Sequence, residues 1–142
     1  MASRKKWPRL VTVDVPLFSG RVCVTTSRAD YEAAARYLGD CGEELQEAIW
    51  GALGLTSTYA HLETGEPMHL VGVFDGKPRT LVHELAHVAF DVLDRVGQET
   101  DRGGRETFCY LQDYLFERFE SVLLTPAEEP EPQKREIAHG RR

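Results

Sequence analysis

Residues 78–97 constrain this chain more than any other stretch. Leu81, Val82, Leu85, Val88, Ala89, Val92, Leu93 and Val96 recur there at steps of three and four, the spacing of one helical face. Pro78 suits a first turn, where its missing N–H costs nothing. Gly97 suits a left-handed stop, and no Pro or Gly interrupts the residues between them. Any fold must therefore bury one side of a helix of about five turns. That helix contains His83-Glu84-Leu85-Ala86-His87, an H-E-x-x-H string. Residues four apart share a helical face, about 6 Å along the axis, so the two imidazoles can hold one zinc ion. Glu84 is rotated off that face but remains within reach of a water beside the metal.

A catalytic zinc needs a third protein donor and an open position. Asp91 follows His87 by four residues, but His83 and Asp91 then span about 12 Å of one straight helix. One ion cannot touch both ends, so Asp91 reads as a residue that orients a ligand or as a surface carboxylate. A polar, Gly-rich turn at 98–104 leads to a second helix over 105–119, with Phe108, Leu111, Leu115, Phe119 and Val122 as its apolar stripe. A short connection favours antiparallel packing, which lets Glu106 face the metal from the first turn. Asp101 on the turn is the next candidate. Cys109 reads as a packed core thiol.

His83-Glu84-x-x-His87 followed by Glu106 resembles the gluzincin branch of the zinc metallopeptidases. The spacing of 19 residues from His87 to Glu106 is similar to that of thermolysin-like members, which also carry an Asp at the position of Asp91. The small size looks most like that of short metallopeptidase-like proteins encoded in phage genomes. The resemblance covers about residues 67–120 and lacks the large substrate-binding domains of those enzymes.

The resemblance implies an α+β, minimal zincin-like domain: a small antiparallel or mixed sheet beside the motif helix and its antiparallel successor. It implies zinc on His83, His87 and Glu106, with Glu84 as the general base of peptide or protein hydrolysis. Larger gluzincins have Glu-x-x-x-Asp, whose Asp orients a zinc-binding His. Here Tyr110 occupies that position, which leaves the role to Asp113 or Asp91. It also implies an edge strand at 56–62 that pairs with substrate, and an oxyanion donor among Tyr59, Tyr110 and Tyr114. A different class of function is a non-catalytic zincin-fold part of a phage virion, partnered by assembly proteins. A third is a DNA-associated metalloprotease.

Composition bears on these classes. Net charge is −6, which argues against non-specific nucleic-acid binding, and no C-x-x-C pair provides a zinc ribbon. Three isolated cysteines, Cys23, Cys41 and Cys109, fit a reducing cytoplasm, the host's if the chain is phage-encoded. No apolar run reaches membrane-spanning length, and the basic start has no apolar stretch of a secretory signal after it. Residues 1–9 read as a basic arm, 10–124 as the domain, and 125–142, charged and Pro-rich, as a disordered tail.

Within the domain, alternation at 10–15 and 21–25 predicts a hairpin. Ser27 predicts the start of a helix over 28–38, and 40–50 reads as a loop with a short helix. Strands are expected at 56–62 and 68–74, the second apolar enough for a sheet interior. His61 and His69 lie on these strands.

Overall fold

The computed structural model describes residues 10–101 and 103–124. The expected basic arm at 1–9 and tail at 125–142 lie outside the described residues. The fold is α+β, as the sequence predicts. Strands β1 (Val11–Asp14) and β2 (Arg21–Thr25) form the predicted antiparallel hairpin, with Val13 opposite Val22. Helix α1 (Arg28–Tyr37) begins where the Ser27 hydroxyl accepts the Asp30 N–H, satisfying one orphan donor of the first turn. A short α2 (Leu45–Trp50) follows.

Strands β3 (Gly54–Ala60) and β4 (Pro67–Val73) pair antiparallel. β3 begins and ends two residues earlier than its alternation predicts. At its far end, His61 N–H bonds to Glu66 carbonyl and Gly65 N–H to His61 carbonyl, which closes the turn. The His61 ring belongs to this turn, because Nδ1 accepts the N–H groups of Glu63 and Thr64. β2 pairs with β4 in parallel, giving one mixed sheet in the order β1-β2-β4-β3. Among the described residues, β4 is therefore interior, and β3 is an edge strand whose outer side pairs with no other strand.

Successive strand residues point to opposite faces, and here helices cover both faces, a layer the sequence did not reveal. Cys23 and Leu70 face α1 and α2 and pack with Tyr31, Ala34, Ala35, Leu45 and Ile49. Arg28 closes this side by donating to the carbonyls of Ile49 and Ala52. It also lies over the Trp50 and Phe74 rings, which fixes the entry to β3.

On the other face, Val22, Val24, Val71 and Val73 meet α3 (Pro78–Arg95) and α4 (Arg105–Phe119). The buried stripe of α3 is Leu81, Leu85, Val88, Ala89, Val92 and Leu93, each fully or almost fully enclosed. Burying such a side chain stabilises the fold by roughly 1.5–3 kcal/mol. Val82 and Val96, expected in that stripe, are 42% and 49% exposed. Each follows a stripe position by one or three residues, and the stripe is narrower than its sequence spacing suggested.

α3 ends as predicted. Gly97 has φ +71°, its N–H bonds to the Asp94 carbonyl, and Gln98 N–H bonds to the Leu93 carbonyl. The chain then turns sharply, and a Cβ at Gly104 would fall 1.8 Å from the Glu99 carbonyl oxygen. α4 runs back antiparallel to α3. Phe108 packs on Phe90 with ring centroids 4.5 Å apart, and Gln112 donates to the Val82 carbonyl at 2.9 Å. A short 3-10 segment (Glu120–Leu124) ends the described chain.

Candidate metal centre

His83 and His87 stand one turn apart on the exposed side of α3. Their Nε2 atoms approach to 3.2 Å, and the rings lie edge to face with centroids 4.9 Å apart. Two donors each about 2.05 Å from a tetrahedral zinc ion would be about 3.3 Å apart, so the pair fits two corners of such a site. The same distance suits an N–H···N bond between two neutral rings.

Glu84 lies about 100° around the helix from His83 and turns beneath β3. It is 7% exposed. Thr56 Oγ1 donates to Glu84 Oε2 at 2.5 Å, within the range for a hydroxyl on a carboxylate. Room for this carboxylate comes from Gly54. A Cβ there would sit 2.8 Å from Glu84 Oε1 and 2.6 Å from Thr80 Cγ2. Thr80 is itself tied to Asp75, Oγ1 to Oδ2, at 2.7 Å. Glu84 and His87 share a groove of about 390 Å³ with Gly54, Leu55, Thr56, Thr58 and Asp91, so the edge strand forms one of its walls.

Asp91 lies one turn beyond His87 and belongs to a polar chain that runs from exposed Arg95 to enclosed His69. Its Oδ2 accepts from Arg95 Nε at 2.8 Å and stands 3.5 Å from both Thr58 Oγ1 and His69 Nδ1. Thr58 Oγ1 and His69 Nδ1 are 3.0 Å apart. One proton order satisfies the set: His69 Nδ1–H to Thr58, and Thr58 O–H to the carboxylate. His69 is fully enclosed, and its Nε2 has no hydrogen-bond partner among the described residues. Burial lowers its pKa, outweighing the opposite pull of Asp91, so the ring is neutral.

The α4 side differs from the expectation. Glu106 is exposed in the first turn, and nine residues, about two and a half turns, separate it from fully buried Leu115. It therefore lies across α4 from the stripe that packs on α3. Among the described residues, no three His, Cys, Asp or Glu side chains form a group that could hold a metal ion. The structure thus brings the two imidazoles together with Glu84 alongside, and it does not gather Glu106 or Asp101 with them. Cys109, expected in the core, is exposed.

Tyr110 and Asp113 border a different hollow with Tyr114, Pro16, Leu17 and Phe18. Turning Leu111 and Leu115 inward directs that flank of α4 toward the β1–β2 turn. Tyr59 faces the opposite side of the sheet, where its hydroxyl donates to Asp40 at 2.8 Å. Burial and this carboxylate push its pKa up to about 12. None of the three tyrosines borders the groove that holds Glu84.

Sequence reasoning missed Gly54, Thr56 and Thr58. Their signal was the alternation of small and hydroxyl residues along 54–60, which puts all three on one face of the strand. Comparison with known proteins finds no matching family model, no matching curated protein and no matching solved structure.

Proposed function

We propose that the chain is a zinc-dependent peptidase. One observation carries this reading: two imidazole nitrogens converge to 3.2 Å on α3 while the Glu84 carboxylate, one residue along, borders the same groove as His87. His83 and His87 would hold the ion, and Glu106 is the proposed third donor, which requires the start of α4 to present a different side. Bound zinc supplies Lewis acidity and lowers the pKa of water toward about 7.

Glu84 has Oε2 occupied by Thr56, which leaves Oε1, on the Gly54 side, to take a proton from the attacking water. As the water oxygen bonds to the peptide carbon and the C–N bond breaks, Glu84 returns that proton to the departing amine. The outer edge of β3, which pairs with no strand among the described residues, offers backbone donors and acceptors to an extended peptide. Substrates are therefore peptide or protein segments able to lie as a strand. No helix among the described residues is long and apolar enough to cross a membrane. We propose cytoplasm as the place of action, that of the host if the chain is phage-encoded.

The test is metal analysis of the purified protein with a peptide-library digestion by wild type and Glu84→Gln. Bound zinc and cleavage by wild type, with cleavage lost in Glu84→Gln, supports the reading. Full activity in Glu84→Gln sinks it.

The outward side of Glu106 favours a second reading, a non-catalytic part of a phage particle in which a metal on the histidine pair fixes the fold. Chelation would then lower Tm with no proteolysis to lose, and the protein would be stoichiometric in purified particles.

A further inference from the structure

We infer that Thr56 is a positioning residue for Glu84, an inference that rests on the peptidase reading. Glu84 is buried, and a carboxylate removed from water is disfavoured unless donors replace the lost solvent. The donor found is the Thr56 hydroxyl. It stands 2.5 Å from Oε2 and 3.3 Å from the Glu84 carbonyl oxygen. A hydroxyl has one proton, and the shorter contact to the charged group takes it.

Threonine suits the task for a second reason. Its branched Cβ restricts χ1 on a strand, so the hydroxyl is aimed before Glu84 arrives. Two residues earlier on the same face, Gly54 bounds the carboxylate from the side. Two residues later, Thr58 Oγ1 stands 3.5 Å from Asp91 Oδ2, whose nearer donor is Arg95 Nε at 2.8 Å. Of the two carboxylates in the groove, Glu84 is thus the one β3 holds closely. Thr56 touches no reacting atom. It acts by holding one oxygen of Glu84 so that the other is presented to water.

The experiment uses the full chain. Thr56→Val keeps the shape and removes the hydroxyl, and Thr56→Ser restores it. In the zinc-loaded protein, Thr56→Val is expected to lower kcat by about tenfold or more with KM within about twofold, and Thr56→Ser to recover most of the loss. Zinc stoichiometry is expected to stay unchanged. A second readout needs no activity: urea unfolding of the metal-free wild type, Thr56→Val, Glu84→Gln and the double variant. The two substitutions are expected to be non-additive.

A change confined to KM, a Thr56→Ser variant as impaired as Thr56→Val, or additive unfolding energies would each overturn the inference while leaving the peptidase reading in place. A folded, zinc-loaded wild type without peptidase activity overturns both. Should Thr56→Val fail to fold, Thr56→Ala is read by the same two measurements.

Discussion

On the β3 side of α3, a buried carboxylate is fixed from several directions: a hydroxyl at 2.5 Å, a glycine that leaves room, and a strand registered residue by residue on β4. On the α4 side, the carboxylate expected to complete the site is exposed in a first turn. The difference lies in how each position is determined. Glu84 sits in a helix–sheet interface, where a shift of any neighbour opens a cavity or a clash. The direction of Glu106 depends on the rotational phase of α4, and a one-residue shift in which helical residues face α3 turns it by about 100°. Just before α4 the chain passes close to the Glu99 backbone at Gly104, where a side chain has no room.

The largest effect expected on the well-determined side is that of Glu84→Gln, which should reduce peptide cleavage by about 10²- to 10⁴-fold with zinc retained, as measured by turnover and metal content. The α4 side is tested next. Zinc at a hundred times its Kd should raise unfolding free energy by about 2.7 kcal/mol if it binds only the folded chain. His87→Ala should remove that gain. Glu106→Ala should remove part of it if α4 turns to the metal and none of it if Glu106 stays outward, so urea unfolding with and without zinc decides between the two arrangements.

Gly54→Ala should destabilise the metal-free protein by about 1–3 kcal/mol through the crowding of Thr80 and Glu84, whereas a Cβ at Gly103 on the α4 side meets nothing within 4 Å and should cost far less. The smallest effect concerns His69. Its folded pKa lies below the ordinary 6.5, so the unfolded chain takes up the proton first as pH falls. Its contribution is complete above about pH 6.5 and is lost as the solution is acidified toward the folded pKa. Between about pH 7.5 and 5.5, His69→Leu should lose less stability than wild type does, read by denaturant midpoints at each pH.

Much of this framework could be read from residues alone. The period of Leu81, Leu85, Val88 and Val92, bounded by Pro78 and Gly97, determines α3, because helix signals are local. The hairpin at β1–β2 and the apolar run of β4 are local for the same reason. Parallel pairing of β2 with β4 joins residues more than forty positions apart, and no neighbouring residue carries that information. Cover on both sheet faces was missed for a related reason: Leu70 and Val71 are both buried, and an apolar run does not say what lies on either side.

Within the candidate site, the histidine pair was legible because both members ride one helix. The location of Glu106 was not, since it depends on the packing of two helices. Thr56 and Thr58 were hidden for another reason. Threonine is common in strands, so its hydroxyl reads as propensity until a partner is known.

The outermost strand has a consequence for how ligand length should matter. One face of β3 seats Glu84, while its open backbone edge is where an incoming chain would extend the sheet. A ligand spanning all seven residues of β3 would damp fraying at both ends and steady Thr56 with them. Trimming such a ligand should therefore slow turnover before it weakens affinity, a pattern that a graded series of peptides would reveal.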